Sequence, residues 1–169
     1  MRNVALLSLM TALASTGAWA QTKPACSLLT ASEIGGVGAS GQGGEKSLPV
    51  TDGPTKGKKL KLCEWRMATG SLNLSVADAP PGVPFEKLVS QMDGTYATLK
   101  SQGWKEEKKA FPSVSCSLMT PPPARQDLPI TTGCLTVAKG LVVSVSTLAQ
   151  TRVSMEKIKA LLESAVKRL

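Results

Sequence analysis

The sequence predicts an α+β domain in which helices pack over a mostly antiparallel sheet. Two observations predict this class. Several short segments alternate apolar with polar residues between turns, which is typical of half-buried strands. Two longer segments carry apolar residues at the spacing of an amphipathic helix, and no internal repeat is present. The expected order is helix, two strands, helix, three strands, helix.

Capping and turn residues predict the first elements. Thr30 and Glu33 have the spacing of a capping box, so a short helix is expected to begin after Thr30. The glycine-rich segment 35–46 then predicts a loop. Residues 60–67 and 71–76 flank a short turn and predict a β-hairpin with one buried face.

Two amphipathic helices are predicted further along the chain. The longer one begins after Pro84 and ends before Gly103, and its apolar residues are Phe85, Leu88, Val89, Met92, Tyr96 and Leu99. The other begins after Ser154, a favourable N-cap, and its apolar residues are Ile158, Leu161, Leu162, Ala165 and Leu169. This last helix is expected to dock on the sheet.

A three-strand meander is expected between these helices, over residues 114–119, 131–138 and 141–148. The meander follows a charged segment, 105–109, to which no strand is assigned. If the first hairpin is centred on Arg125, Cys116 lies directly opposite Cys134, within reach of a disulfide. In the next pairing Val145 lies opposite Cys134, on the same face.

The four cysteines predict two disulfides, because residues 1–20 have the pattern of a secretory leader and an even number of cysteines in an exported chain is typical of structural bridges. Three pairings are formally open. The hairpin geometry selects Cys116 with Cys134, which leaves Cys26 with Cys63. A zinc or redox site is not expected, because the sequence has no histidine and no C-x-x-C spacing. Trp65 shares a strand face with Cys63 and is expected in the core.

The first 20 residues have the pattern of a secretory signal peptide. Arg2 is followed by an apolar stretch over residues 4–13 and by a small-x-small site that ends at Ala20. Cleavage after Ala20 leaves residues 21–169 as a single domain in the periplasm or outside the cell. The apolar stretch is about half as long as a bilayer span, and no second one follows, so no transmembrane segment is expected.

The charge of the mature chain favours anionic partners. Removing Arg2 with the leader leaves 19 basic and 12 acidic residues, a net charge of +7. This balance suits a polyanion, the headgroups of an envelope surface or an acidic protein. Nucleic acid is not an expected partner, because Phe85, Tyr96 and Phe111 offer no platform on which bases stack.

The glycine-rich motifs do not predict a cofactor. Residues 36–41 match G-x-G-x-x-G, but no strand precedes them as a dinucleotide fold requires. Residues 53–59 lack the spacing and the Ser or Thr of a phosphate-binding loop. No catalytic residue is predicted either, because the absence of histidine excludes Ser-His-Asp and Cys-His arrangements. A pair of carboxylates stays open, although no spacing selects two from Asp52, Glu64, Asp78, Asp93 and Asp127.

Two regions are candidate interaction surfaces. The first is a lysine cluster with the composition of an anion-binding patch, formed by Lys56, Lys58, Lys59 and Lys61. A solvated loop whose charges prevent strand aggregation is its alternative interpretation. The second is the loop 121–129, which is stiffened by prolines and carries Pro122 and Arg125. Trp104 either seals the end of the long helix or lies in a partner surface.

The segment C-S-L-L-T-A-S-E-I at 26–34, followed by C-E-W at 63–65, resembles the opening of a loose group of small exported bacterial proteins. These proteins begin with C-S-L-L-T-x-x-E and later carry C-x-W, and several are lipoproteins. The resemblance implies a PsbP-like α/β/α sandwich and, independently of the hairpin, a bridge between Cys26 and Cys63. The chain differs from the group in lacking a lipid-attachment site and in having a second cysteine pair. The resemblance implies no catalytic residue.

These observations predict an exported, non-enzymatic binding protein whose partner is a protein or an anionic envelope component. The alternative is an inhibitor or immunity-type protein that blocks an envelope-acting toxin or hydrolase through the loop 121–129. The third hypothesis is a small hydrolase that uses carboxylates.

Overall fold

A computed structural model describes residues 23–51 and 55–169 of the chain, apart from the side chains of Met92 and Thr95. These residues form a seven-stranded antiparallel sheet with the strand order β1-β2-β3-β7-β6-β5-β4. The strands are β1 (Ala39–Pro49), β2 (Lys59–Met67), β3 (Gly70–Asp78), β4 (Lys105–Phe111), β5 (Val114–Thr120), β6 (Ile130–Ala138) and β7 (Leu141–Ala149). The predicted leader and Asp52 lie outside the described residues.

The described residues form three α-helices, which begin and end close to the predicted positions, and two 3₁₀ turns that the sequence pattern did not predict. They are a 3₁₀ turn (Ala25–Leu28), α1 (Ala31–Gly35), α2 (Phe85–Ser101), a second 3₁₀ turn (Pro123–Arg125) and α3 (Met155–Arg168). The predicted capping box is confirmed. The Glu33 backbone N–H donates to Thr30 Oγ1 at 3.3 Å, and the Thr30 backbone N–H donates to Glu33 Oε2 at 2.8 Å. Ser154 caps α3 by accepting from the Lys157 backbone N–H.

The predicted element order is wrong in its strand count, because the sequence pattern does not reveal β1 and β4. β1 occupies much of the segment predicted as a glycine-rich loop, and β4 includes the charged segment 105–109. Both are edge strands with mostly exposed side chains, so neither shows the alternation that indicates a half-buried strand. β1 pairs with β2 across an irregularity between Ser40 and Gly44. The observed order is helix, three strands, helix, four strands, helix.

The predicted register of the meander is confirmed. Cys116 pairs with Cys134, and Cys134 pairs with Val145 on the next strand. Both predicted disulfides form, with Cα–Cα distances of 5.0 Å for Cys26–Cys63 and 4.0 Å for Cys116–Cys134. Because side chains alternate across a sheet, this register assigns every residue of β5, β6 and β7 to one of two faces.

The apolar core lies on the face that carries the Cys116–Cys134 bridge. α3 packs across β5, β6 and β7 and buries Ile158 and Leu162 completely. Full burial of each such side chain contributes about 1.5–3 kcal/mol. The strand residues on this face are buried and mostly apolar, including Leu72, Leu74, Val76 and Val143, with the threonines at 132, 136 and 147 among them. α2 lies on the opposite face of the sheet, so helices cover both faces.

The Cys26–Cys63 bridge fastens the N-terminal 3₁₀ turn to β2, and Trp65 packs beside it with 3% of its surface exposed. The prediction that Trp65 belongs to the core is confirmed. Gly43 of β1 lies directly over both groups. A Cβ at this position would lie less than 3 Å from Cys63 Sγ, Trp65 Nε1 and Cys26 Sγ. Only glycine therefore fits between β1 and the bridge.

A second contact fastens the N-terminal segment to the C-terminal helix. The Arg168 guanidinium donates to both carboxylate oxygens of Glu33, each at 2.9 Å, and to the Leu28 carbonyl at 3.0 Å. Partial burial by itself would raise the pKa of Glu33. The hydrogen bonds from Arg168, together with those from Thr30, overcome that effect and lower the pKa to about 2.

We expect Gly43→Ala to destabilise the protein by about 2 kcal/mol or more, because the added methyl group must displace the disulfide or the indole ring. Gly44→Ala is the matched control, since its Cβ would meet only the Glu64 carbonyl, at 3.9 Å. Urea unfolding of the oxidised proteins measures both changes. Equal midpoints for the two variants would contradict the close packing of β1 on the bridge.

We expect Arg168→Gln to lower the free energy of unfolding at neutral pH by about 1–2 kcal/mol, after allowance for the partial exposure of the ion pair. The stabilisation by Glu33 is present above the pKa of its unfolded state and is lost as pH falls from about 5 to about 2. The free energy of unfolding of the variant should therefore change less with pH across that range than that of the wild type. Urea unfolding at a series of pH values measures this dependence. Arg152→Gln, which breaks the exposed pair with Glu107, should keep the wild-type slope.

Candidate functional site

The structure places the predicted interaction residues at opposite ends of the sheet. Lys61 pairs with Val76 near the end of β3, so the lysine cluster lies where β3 ends and β7 begins. Trp104 precedes β4, and Lys105 pairs with Thr120 at the end of β5. Trp104, Pro122 and Arg125 therefore share the other end. The two candidate surfaces are separate sites.

The lysine cluster gains a member from the turn between β6 and β7. Gly140 in this turn accepts a hydrogen bond from the Ala79 backbone N–H at 2.9 Å, so its neighbour Lys139 lies beside the end of β3. Lys58 forms an ion pair with Asp78 at 3.5 Å in the same region. We call the group the basic end, and its members are Lys56, Lys58, Lys59, Lys61 and Lys139. Sequence reasoning did not find Lys139, because only the pairing of β3 with β7 brings that turn here.

The proline loop, residues 121–129, is held at both of its ends. Pro121 is buried, and a Cβ on Gly103 would lie 3.4 Å from Pro122, so the loop packs against the segment that carries half-buried Trp104. The Arg125 backbone N–H donates to the Pro122 carbonyl at 2.8 Å, and the Gln150 side chain donates to the Asp127 carbonyl at 2.9 Å. Residues 123–127 between these contacts are exposed.

A cleft of about 160 Å³ lies between α2 and the sheet. Val89, Asp93 and Tyr96 line it from the helix. Its floor is formed by β5, β6 and β7, with Ser115, Ser117, Gly133, Leu135, Ser144 and Ser146 among the lining residues. None of the side chains that the structure describes on α2 is buried, whereas α3 buries five. α2 therefore covers its face of the sheet much less closely than α3 covers the core.

Ion pairs connect α2 to β4 at the side of this cleft. Lys108 forms a very short contact with Asp93 and lies 3.6 Å from Glu106, whose other carboxylate oxygen accepts from Lys100 at 2.9 Å. The Glu106 side chain is only 6% exposed. The hydrogen bond to Asp93, with the charge of Glu106, raises the pKa of Lys108. Two cations and two carboxylates leave the network close to neutral.

Two other candidate acids among the described residues are each paired with a cation. Glu64 lies 3.3 Å from Lys46, and Asp127 lies 3.4 Å from Arg125, so each has its own cation in a different part of the sheet. Among the described candidate acids, Asp93 lines the cleft, and its neighbour Glu106 was not selected from the sequence. No group of three or more potential metal ligands occurs within residues 23–51 and 55–169.

Comparisons with known proteins do not assign this chain to a family. No family model matches it, and neither does any curated protein or solved structure. No helix of the described segments is long and apolar enough to cross a membrane.

Proposed function

We propose that this chain is an exported, non-enzymatic binding protein that holds an anionic partner at its basic end. One observation carries the proposal: lysines from two separate turns and from the start of β2 lie together at one end of the sheet. Asp78 lies in the same region and is paired with Lys58. Such a concentration of positive charge attracts anionic surfaces over about 10 Å at moderate salt.

The covalent structure supports the exported location. Both cysteine pairs are bridged, and disulfides persist in oxidising compartments such as the periplasm and the extracellular space. The leader pattern over residues 1–20 points to the same compartments. The Cys26–Cys63 bridge also agrees with the proposed kinship to the small exported proteins that share the C-S-L-L-T opening.

A second candidate function follows from the proline loop. Five consecutive residues, 123–127, are exposed between two fixed ends, so the loop loses little conformational entropy when it enters a partner. Inhibitors of hydrolases present rigid segments of this kind to a concave active site. We propose inhibition of an envelope-acting hydrolase as the alternative activity of this protein.

Replacing Lys56, Lys59 and Lys139 together by Gln tests the basic end. We expect the affinity for heparin, used as a soluble polyanion, to fall about tenfold at low salt, and the difference to shrink as salt screens the charges. Titration calorimetry or elution from a heparin column measures the effect.

The matched control replaces Lys87, Lys105 and Lys167 by Gln, which removes the same charge from exposed positions elsewhere. It should change the affinity less than about twofold. Equal losses in the two triple variants would show that only net charge matters, and they would overturn the proposed site.

Replacing residues 123–127 by Gly and Ser at equal length tests the proline loop. If the alternative function is correct, the wild-type protein slows cell-wall lysis by at least one muramidase, amidase or endopeptidase, and the variant loses this effect with unchanged thermal stability. Replacing Pro80 and Pro81 in a different loop should leave inhibition intact. Undiminished inhibition by the 123–127 variant, or lysis that the wild type never slows, would end this alternative.

A further inference from the structure

We propose that the cleft between α2 and the sheet binds a neutral, hydroxyl-rich ring, such as one sugar unit of a glycan. This site is independent of the basic end. It lies on the side of the sheet opposite the apolar core and is lined by residues of α2, β5, β6 and β7.

The floor of the cleft has the wrong composition for tight helix packing. A helix that covers a sheet closely rests on larger and mostly apolar side chains. On the face beneath α3 these include Leu118, Val143 and Val145, with buried threonines among them. Beneath α2 the strands instead present Ser115, Ser117, Ser144, Ser146 and the glycine at 133. These small side chains leave space under the helix, and their hydroxyl groups line that space.

The hydroxyl groups of the floor match the chemistry of a sugar. Each serine donates one hydrogen bond and accepts two, so the lining offers donors and acceptors in the same mixture that a polyhydroxylated ring carries. Ser144 already shares one hydrogen bond with Ser75 at 2.7 Å, and Ser117 lies 3.5 Å from the Tyr96 hydroxyl. Val89, Leu135 and the ring of Tyr96 supply apolar surface for the C–H groups of the ligand.

The charges beside the cleft favour a neutral ligand over an ion. Lys108 is engaged by Asp93 and approached by Glu106, so an anion would have to compete with two carboxylates for it. A cation entering near Asp93 would meet Lys108 in the same way. The fixed pair can still form charge-assisted hydrogen bonds with sugar hydroxyls without a change in net charge.

The size of the cleft also suits one ring. Its volume of about 160 Å³ is close to the roughly 150 Å³ of a cavity that accepts benzene, so a pyranose ring enters with its substituents directed out of the open side of the cleft. Val89 and Ser115 also line an adjoining open groove of about 370 Å³ near the start of α2. A second linked sugar has room there, so a short glycan fits the site better than a free monosaccharide.

The direct test maps binding on the wild-type, oxidised protein by NMR chemical shifts, with N-acetylglucosamine and its β-1,4-linked disaccharide as probes. We expect shifts confined to α2 and to the facing residues of β5, β6 and β7, with millimolar dissociation constants and tighter binding of the disaccharide. The absence of chemical-shift changes up to about 20 mM of either sugar would overturn the proposal. That concentration detects a binding free energy of about 2–3 kcal/mol. Shifts centred on the basic end, or stronger binding of the carboxylate-bearing N-acetylmuramic acid, would overturn it equally.

Variants test the named contacts. Tyr96→Phe combined with Ser117→Ala removes two lining hydroxyls with little change in shape, and we expect about tenfold weaker binding. Ser71→Ala on the same sheet face, outside the cleft, is the matched control and should bind as wild type does. Gly133→Ala provides a second test, because its added methyl group lies in the cleft at an ordinary contact distance of 3.4 Å from Ser146 Cβ. Sugar binding that none of the cleft variants weakens would contradict the assignment.

Discussion

The register of β5, β6 and β7 determines which chemistry each face of the sheet presents. Successive side chains of a strand point to opposite faces, so a slip of one residue would exchange the two faces completely. The Cys116–Cys134 bridge joins two directly opposed residues and makes such a slip between β5 and β6 covalently impossible. The apolar face beneath α3 and the hydroxyl face beneath α2 both depend on this constraint.

The two faces of the sheet are covered differently by helices because their side chains differ in size and polarity. On the core face, mostly apolar residues and α3 exclude water. The Cys26–Cys63 bridge joins the first 3₁₀ turn to β2, and the Arg168–Glu33 pair joins α3 to α1 around that core. On the other face, serines and a glycine leave a gap under α2. The helix stays in place partly through ion pairs to β4, which contribute less than apolar burial and are weakened by salt. The tightly packed core and the cleft thus lie on opposite sides of one sheet.

The ends of the strands provide a third kind of surface. Turns bring together residues that are distant in sequence, and they are exposed, so charges there cost little desolvation. The basic end combines the turn before β2 with the turn between β6 and β7, whereas the proline loop lies at the other end of the sheet. A protein built in this way can present a charged site, a neutral cleft and a rigid loop without any of them disturbing the core.

The sequence by itself determined the elements whose pattern is local. The capping box at Thr30 and Glu33, the helices after Pro84 and Ser154, and the opposition of Cys116 to Cys134 all depend on spacing within a few tens of residues, and each is confirmed. Tertiary structure alone decided that the glycine-rich and charged segments become edge strands, because backbone pairing to a neighbour holds them rather than any periodicity of their own. It also decided the membership of the basic end and the existence of the cleft. Both arise from side chains that meet only when strands far apart in sequence are placed side by side, and no local pattern records that placement.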